Sequence, residues 1–158
     1  MFTHGTITGL LFLLVGLVYE RAHTRYIPDL GGLASRMPFV ACALLLAGLA
    51  SLGLPGLSGF PAEALIFLGT FPVWSWATSI GAFSIVIAAG YILWMIQRTL
   101  FGVPRERFAT VADARLLEAV PIVGLMLTII VVGLYPQVVV DVFAMGADAI
   151  VETRFGLD

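Results

Sequence analysis

Two side chains bring the chemistry of proton exchange into otherwise apolar sequence, Glu63 and His4. Glu63 closes the run Leu54-Pro55-Gly56-Leu57-Ser58-Gly59-Phe60-Pro61-Ala62-Glu63, and Ala64-Leu65-Ile66-Phe67-Leu68 follows it directly. A charged side chain at the centre of a membrane span costs roughly 2.5–3.5 kcal/mol on insertion scales. A carboxylate retained there is expected to bind a proton or an ion. Leu54, Pro55, Gly56, Ser58, Gly59 and Pro61 predict a broken helix just ahead of it. Broken helices with an ionisable group at membrane depth are the usual build of a transport site. A plainer role is also open to Glu63. Pro61 suits the first turn of a second half-helix, and a carboxylate at that positive end can simply cap freed amides.

His4 opens the first apolar run, followed by Gly5, Thr6 and Thr8. Imidazole changes charge near neutral pH, so His4 is a candidate proton relay. An interfacial anchor is the alternative. His23, in the charged stretch Glu20-Arg21-Ala22-His23-Thr24-Arg25, is expected to be structural. Ser51, Ser58, Thr70, Ser79 and Ser84 could bind water along a proton path, although helix packing with Gly48, Gly53, Gly81 and Gly90 explains small residues equally well. Cys42 stands alone in an apolar run and no metal-ligand spacing surrounds it, so no metal or cofactor site is expected.

The elements that position these residues are membrane helices. The chain has 158 residues, 60% of them hydrophobic and only 11% charged, against about 25% charged in soluble domains. A net charge of -2 gives no reason to expect a nucleic-acid partner. Four apolar regions stand out, at about Phe2–Tyr19, Phe39–Phe71, Trp76–Gln97 and Ala119–Tyr135. A helix needs about 20 residues to cross the hydrocarbon, so the second region is either one broken span or two short ones.

Charge decides between them. Arg21, Arg25 and Arg36 lie in one connection, and Arg98, Arg105, Arg107 and Arg115 in another, while Pro72–Ser75 carries no charge. One broken span puts both Arg-rich loops on the same side, as the positive-inside tendency prefers; two spans would separate them. The expected architecture is therefore all-α and integral to the membrane, with four transmembrane helices of which the second is broken. Trp74 and Trp76 would sit at one interface and Tyr91 and Trp94 at the other. Two segments are expected, a transmembrane helical domain over 1–136 and an interfacial amphipathic helix and tail over 137–158. In the tail, Asp141, Asp148 and Glu152 share one face.

Several runs taken together resemble a known family. His4-Gly5, Leu11-Phe12-Leu13-Leu14-Val15-Gly16, Tyr19-Glu20-Arg21, His23-Thr24-Arg25 and Gly31-Gly32-Leu33 are similar to the M chain of proton-pumping NADH:quinone oxidoreductase, respiratory complex I, whose mitochondrial counterpart is subunit four. Ala50-Ser51-Leu52-Gly53 and the broken run to Phe60, then Glu63 and the Tyr135-Pro136 stop, fit as well. The resemblance covers about residues 1–140. It implies an antiporter-like fold of fourteen helices, of which this chain matches the last four. It also implies that Glu63 matches the acid ending the family's proton path and that His4 matches a histidine on its central polar axis. The earlier glutamate and the lysines of that axis have no counterpart in this chain.

The implied function is that of a proton-translocating membrane-arm subunit, or its C-terminal fragment, with His4 passing a proton to Glu63 for release opposite the Arg-rich loops. NADH, FMN, iron–sulfur clusters and quinone would belong to partner subunits, and this chain would carry no redox site. Other membrane-arm subunits, antiporter-like neighbours among them, and the lipid bilayer are the implied partners. A bacterial inner membrane is the expected location. Two alternatives stay open, a subunit of a multi-subunit cation/proton antiporter or membrane-bound hydrogenase, and a structural membrane subunit without transport activity of its own.

Overall fold

The computed structural model describes residues 1–108, 110–144 and 146. Five α-helices lie wholly within the described residues: α1 (Phe2–Ala22), α2 (Pro38–Ser51), α3 (Gly59–Thr70), α4 (Ser75–Leu100) and α5 (Leu116–Leu134). No strand occurs among the described residues. Three helices, α1, α4 and α5, are long and apolar enough to cross a membrane. The other two, of 14 and 12 residues, rise only about 21 and 18 Å at 1.5 Å per residue. Neither crosses alone. Joined through residues 52–58 they make the single broken span, so the chain is a multi-pass membrane protein of four transmembrane passes.

The break starts earlier than its Pro and Gly content suggests. The helix of the first half stops at Ser51, and the second half begins at Gly59. Leu54, Pro55, Gly56 and Ser58 therefore lie in the interruption, while Gly59 and Pro61 fall in the first turn of α3. A proline is tolerated there because the first amides of a helix have no intrahelical partner. The turn out of α2 is closed by Gly53 N–H donating to the Ala50 carbonyl at 3.3 Å and Leu54 N–H to the Leu49 carbonyl at 3.2 Å.

Both Arg-rich loops meet at one end, as a single broken span requires. Arg105 Nη2 donates to the Pro28 carbonyl at 2.8 Å, and Arg107 Nη2 to the Ala22 carbonyl at 3.0 Å. Arg21 Nη2 pairs with Glu118 Oε2 at 2.5 Å and also reaches the Asp113 carbonyl at 3.3 Å. The start of α2 shows why this loop matters. Met37 occupies its N-cap position and offers no side-chain acceptor. Asp113 takes over that role from far along the chain, accepting the amides of Phe39 at 2.7 Å and Val40 at 3.3 Å. His23 closes α1 in the left-handed conformation, its amide donating to the Tyr19 carbonyl at 2.8 Å, which is the structural role expected of it.

The core lies where α1, α2 and α5 meet. Leu10 and Leu14 of α1, Val40, Ala43, Ala47 and Ala50 of α2, and Ile122 and Ile129 of α5 are all buried. The alanines recur at spacings of four and three on one face of α2, and small residues let helix backbones approach closely in a membrane. By contrast, α4 shows its apolar side outward, with Trp76, Ile80, Phe83, Val86 and Ile87 exposed. After Tyr135-Pro136 the chain is helical again over 137–144. Asp141 lies in that stretch, whereas Asp148 and Glu152 lie outside the described residues.

Candidate functional site

The break is built so tightly that two glycines have no alternative. Gly53 turns the chain out of α2 with φ +65°, and a Cβ there would fall on the carboxylate of Glu63, against Oε2 and Cδ. Gly133 brings α5 so close to the interruption that a Cβ would overlap the Gly56 carbonyl oxygen and the backbone of Leu57. The amide of Ser58 donates across this contact to the Ile129 carbonyl at 3.1 Å. Ser58 itself is 1% exposed, and its Oγ is buried without a hydrogen-bond partner among the described residues.

Glu63 stands one turn into α3, half-buried, with its carboxylate seated against the glycine of the turn. Among the described residues it forms no ion pair. From Glu63 to Thr70, where α3 ends, is seven residues, about 10 Å of helix. The distance back to the Arg-rich end is the full length of α2, about 20 Å. The carboxylate is thus nearer the uncharged end.

His4 and Glu63 line one cavity of about 760 Å³. Helix α1 supplies His4, Ile7, Thr8, Leu11, Leu14 and Val15 at the three- and four-residue spacings of a single face. The first half of the broken span supplies Gly48 and Ser51, and the second half Ala62, Glu63 and Ile66. Tyr91, Met95 and Thr99 of α4 close the far wall, and Thr24 and Arg25 stand at the Arg-rich end. The space is mainly apolar, with a few polar groups, His4, Thr8, Ser51 and Glu63 among them, set along it.

The hydroxyls divide into two kinds. Ser51 donates to the Gly48 carbonyl at 2.8 Å and lines the cavity beside Glu63. Thr70 accepts from Thr78 Oγ1 at 3.0 Å and donates to the Ile66 carbonyl at 2.7 Å, which ties α3 to α4 near the uncharged loop. Ser79 and Ser84 donate into their own helix, to the carbonyls of Ser75 and Gly81, away from the cavity. Tyr91, read from sequence as an interface anchor, and Thr99 are cavity residues that the sequence did not single out. Their spacing of eight places them on one face of α4, but hydropathy does not say which face looks inward.

This arrangement has known counterparts. The family model described as NADH:quinone oxidoreductase/Mrp antiporter, TM, matches residues 1–89. The F(420)H(2) dehydrogenase subunit M of Methanosarcina mazei is 38% identical over 156 residues, 99% of this chain and 32% of that protein. The NADH-quinone oxidoreductase subunit M of Rhodobacter capsulatus is 39% identical over 142 residues, 89% of this chain and 28% of the relative. A solved chain in respiratory complex I from Thermus thermophilus with bound NADH superposes with a TM-score of 0.80 at 35% identity, covering 85% of this chain and 28% of the other. The chain thus spans about a third of the length of the curated relatives it matches.

Proposed function

This chain belongs to the NADH:quinone oxidoreductase/Mrp antiporter transmembrane family, and from that premise we propose that it works as the C-terminal part of a subunit M, a proton-translocating component of a membrane-bound quinone-reducing complex in a bacterial inner membrane. One observation carries the reading: His4 and Glu63 line the same cavity, and the carboxylate sits on the turn of a broken span. Relatives named for two electron donors, NADH and F(420)H(2), share this part. We therefore assign donor oxidation, flavin, iron–sulfur clusters and quinone chemistry to other subunits, and proton movement to this one. The subunit M names of the relatives favour this reading over an Mrp-type antiporter.

The steps assigned to the chain's own residues are few. His4 accepts a proton at a ring nitrogen on the cavity side. Water along Thr8 and Ser51 carries it to a carboxylate oxygen of Glu63. The cavity between Ser51 and Ala62 holds that water beside the acid, and release follows towards the uncharged 71–74 loop, about 10 Å away along α3. Antiporter-like neighbours and the remaining membrane-arm subunits supply the rest of the path.

Glu63→Gln tests the assignment in everted membrane vesicles. Gln keeps the size and polarity of the side chain and removes the exchangeable proton. The expected result is an assembled complex that still oxidises its donor while proton uptake per electron falls. Normal assembly with undiminished proton uptake would overturn the assignment.

A further inference from the structure

A second pocket lies outside the bundle, at the Arg-rich end. Its volume is about 520 Å³, and Ile27, Pro28, Leu30 and Gly31 of the first loop face Arg98, Phe101, Val103 and Arg105 of the second across it. Nothing in the proton path uses it. Arg98 stands in the last turn of α4, with its guanidinium carbon 4.4 Å above the ring of Trp94. Arg105 spends one Nη2 donor on the Pro28 carbonyl at 2.8 Å. Neither guanidinium forms an ion pair among the described residues, although Asp29 and Glu106 lie in the same two loops.

We infer that this pocket binds the phosphate of an anionic phospholipid headgroup, with Arg98 and Arg105 as its two ligands. A guanidinium is a planar fork of donors that matches two phosphate oxygens at once. Stacking on Trp94 and the bond to Pro28 hold both forks in place before a ligand arrives, which lowers the ordering cost of binding. The surroundings favour a lipid over a free anion. The pocket opens where a membrane span ends, and basic pockets on that side of a bundle suit anionic headgroups. Phe101 and Val103 line the pocket, are exposed and offer an apolar surface for acyl chains.

The test uses the whole assembled complex in nanodiscs. A phosphatidylglycerol probe carrying a diazirine near the headgroup end of one acyl chain is photolysed, and labelled peptides are identified by mass spectrometry. The expected result is labelling within residues 91–105 that excess phosphatidylglycerol suppresses while phosphatidylcholine and inorganic phosphate do not. Arg98→Gln with Arg105→Gln is expected to remove most of that labelling, and Arg98→Lys with Arg105→Lys to retain much of it. The competition on the unaltered complex needs no variant to fold. Equal labelling by a phosphatidylcholine probe would overturn the proposal, as would displacement by inorganic phosphate. Absence of labelling, as when another subunit fills the pocket, would overturn it too.

Discussion

Replacing Gly53 with alanine should separate the seat of Glu63 from the stability of the fold. Gly53 has φ +65°, and its added Cβ would meet the Glu63 carboxylate. Holding an L-residue in the left-handed region costs roughly 1–2 kcal/mol. The steric part costs little more, because what the Cβ meets is the far end of a flexible side chain that no ion pair retains. A loss of that size leaves most of a domain's 5–15 kcal/mol or so intact, so the complex should assemble. The carboxylate, however, must leave its place on the turn. A displacement of about 1 Å can slow a positioned reaction on the order of 100-fold, and we expect proton uptake per electron to fall steeply. Gly53→Asn sharpens the test. Asparagine tolerates the left-handed region better but carries the same Cβ, so it should restore stability and not proton uptake. Glu63→Asp in the Gly53→Ala background shortens the acid away from the new methyl and should recover part of the activity. The assays are donor-driven proton uptake in everted vesicles and the amount of complex on a native gel. Wild-type proton uptake in an assembled Gly53→Ala complex would refute the reasoning.

Gly133→Ala should behave in the opposite way, because its Cβ would meet the backbone of Gly56 and Leu57 rather than a side chain. Overpacking of this kind costs about 1–3 kcal/mol. Thermal unfolding of the purified complex should fall relative to Gly124→Ala, where a Cβ meets nothing within 4 Å; equal unfolding temperatures would count against the close contact. Asp113→Ala removes the acceptor for the amides of Phe39 and Val40 and should cost about 0.5–2 kcal/mol, the usual value of a helix cap. Asp113→Asn should recover most of that loss in the same unfolding experiment, and an unchanged Asp113→Ala protein would show that the cap contributes nothing.

The broken span illustrates how far local chemistry reaches. Prolines and glycines in 54–61 made an interruption legible, since their effect on a helix is confined to a turn or so. They did not place its edges. The first helix ends at Ser51, ahead of any proline, because Gly53 takes a positive φ and Leu54 bonds back to Leu49. Pro61 belongs to α3 instead, at a position where its missing N–H costs nothing. The last span likewise begins at Leu116, inside the stretch that its charges marked as loop. Glu118 is accommodated in that first turn because Arg21 and the Arg115 amide, at 2.7 Å, both satisfy it.

Hydropathy, charge and residue type determined the number of passes, the single broken span and the side on which the arginines gather, and they singled out the two residues proposed to exchange protons. Each of these follows from transfer free energies that depend on a segment's own composition. Tertiary structure alone decided that His4 and Glu63 share a cavity, that Gly53 carries the carboxylate, that Asp113 caps a helix 74 residues away, and that Arg98 and Arg105 face one pocket. Those relations depend on how each helix is rotated about its axis and how closely backbones meet. A nearly uniform apolar helix says little about its own rotation. The rotation is set by small residues such as Ala43, Ala47 and Gly133, whose contacts exist only once α1, α2 and α5 have packed.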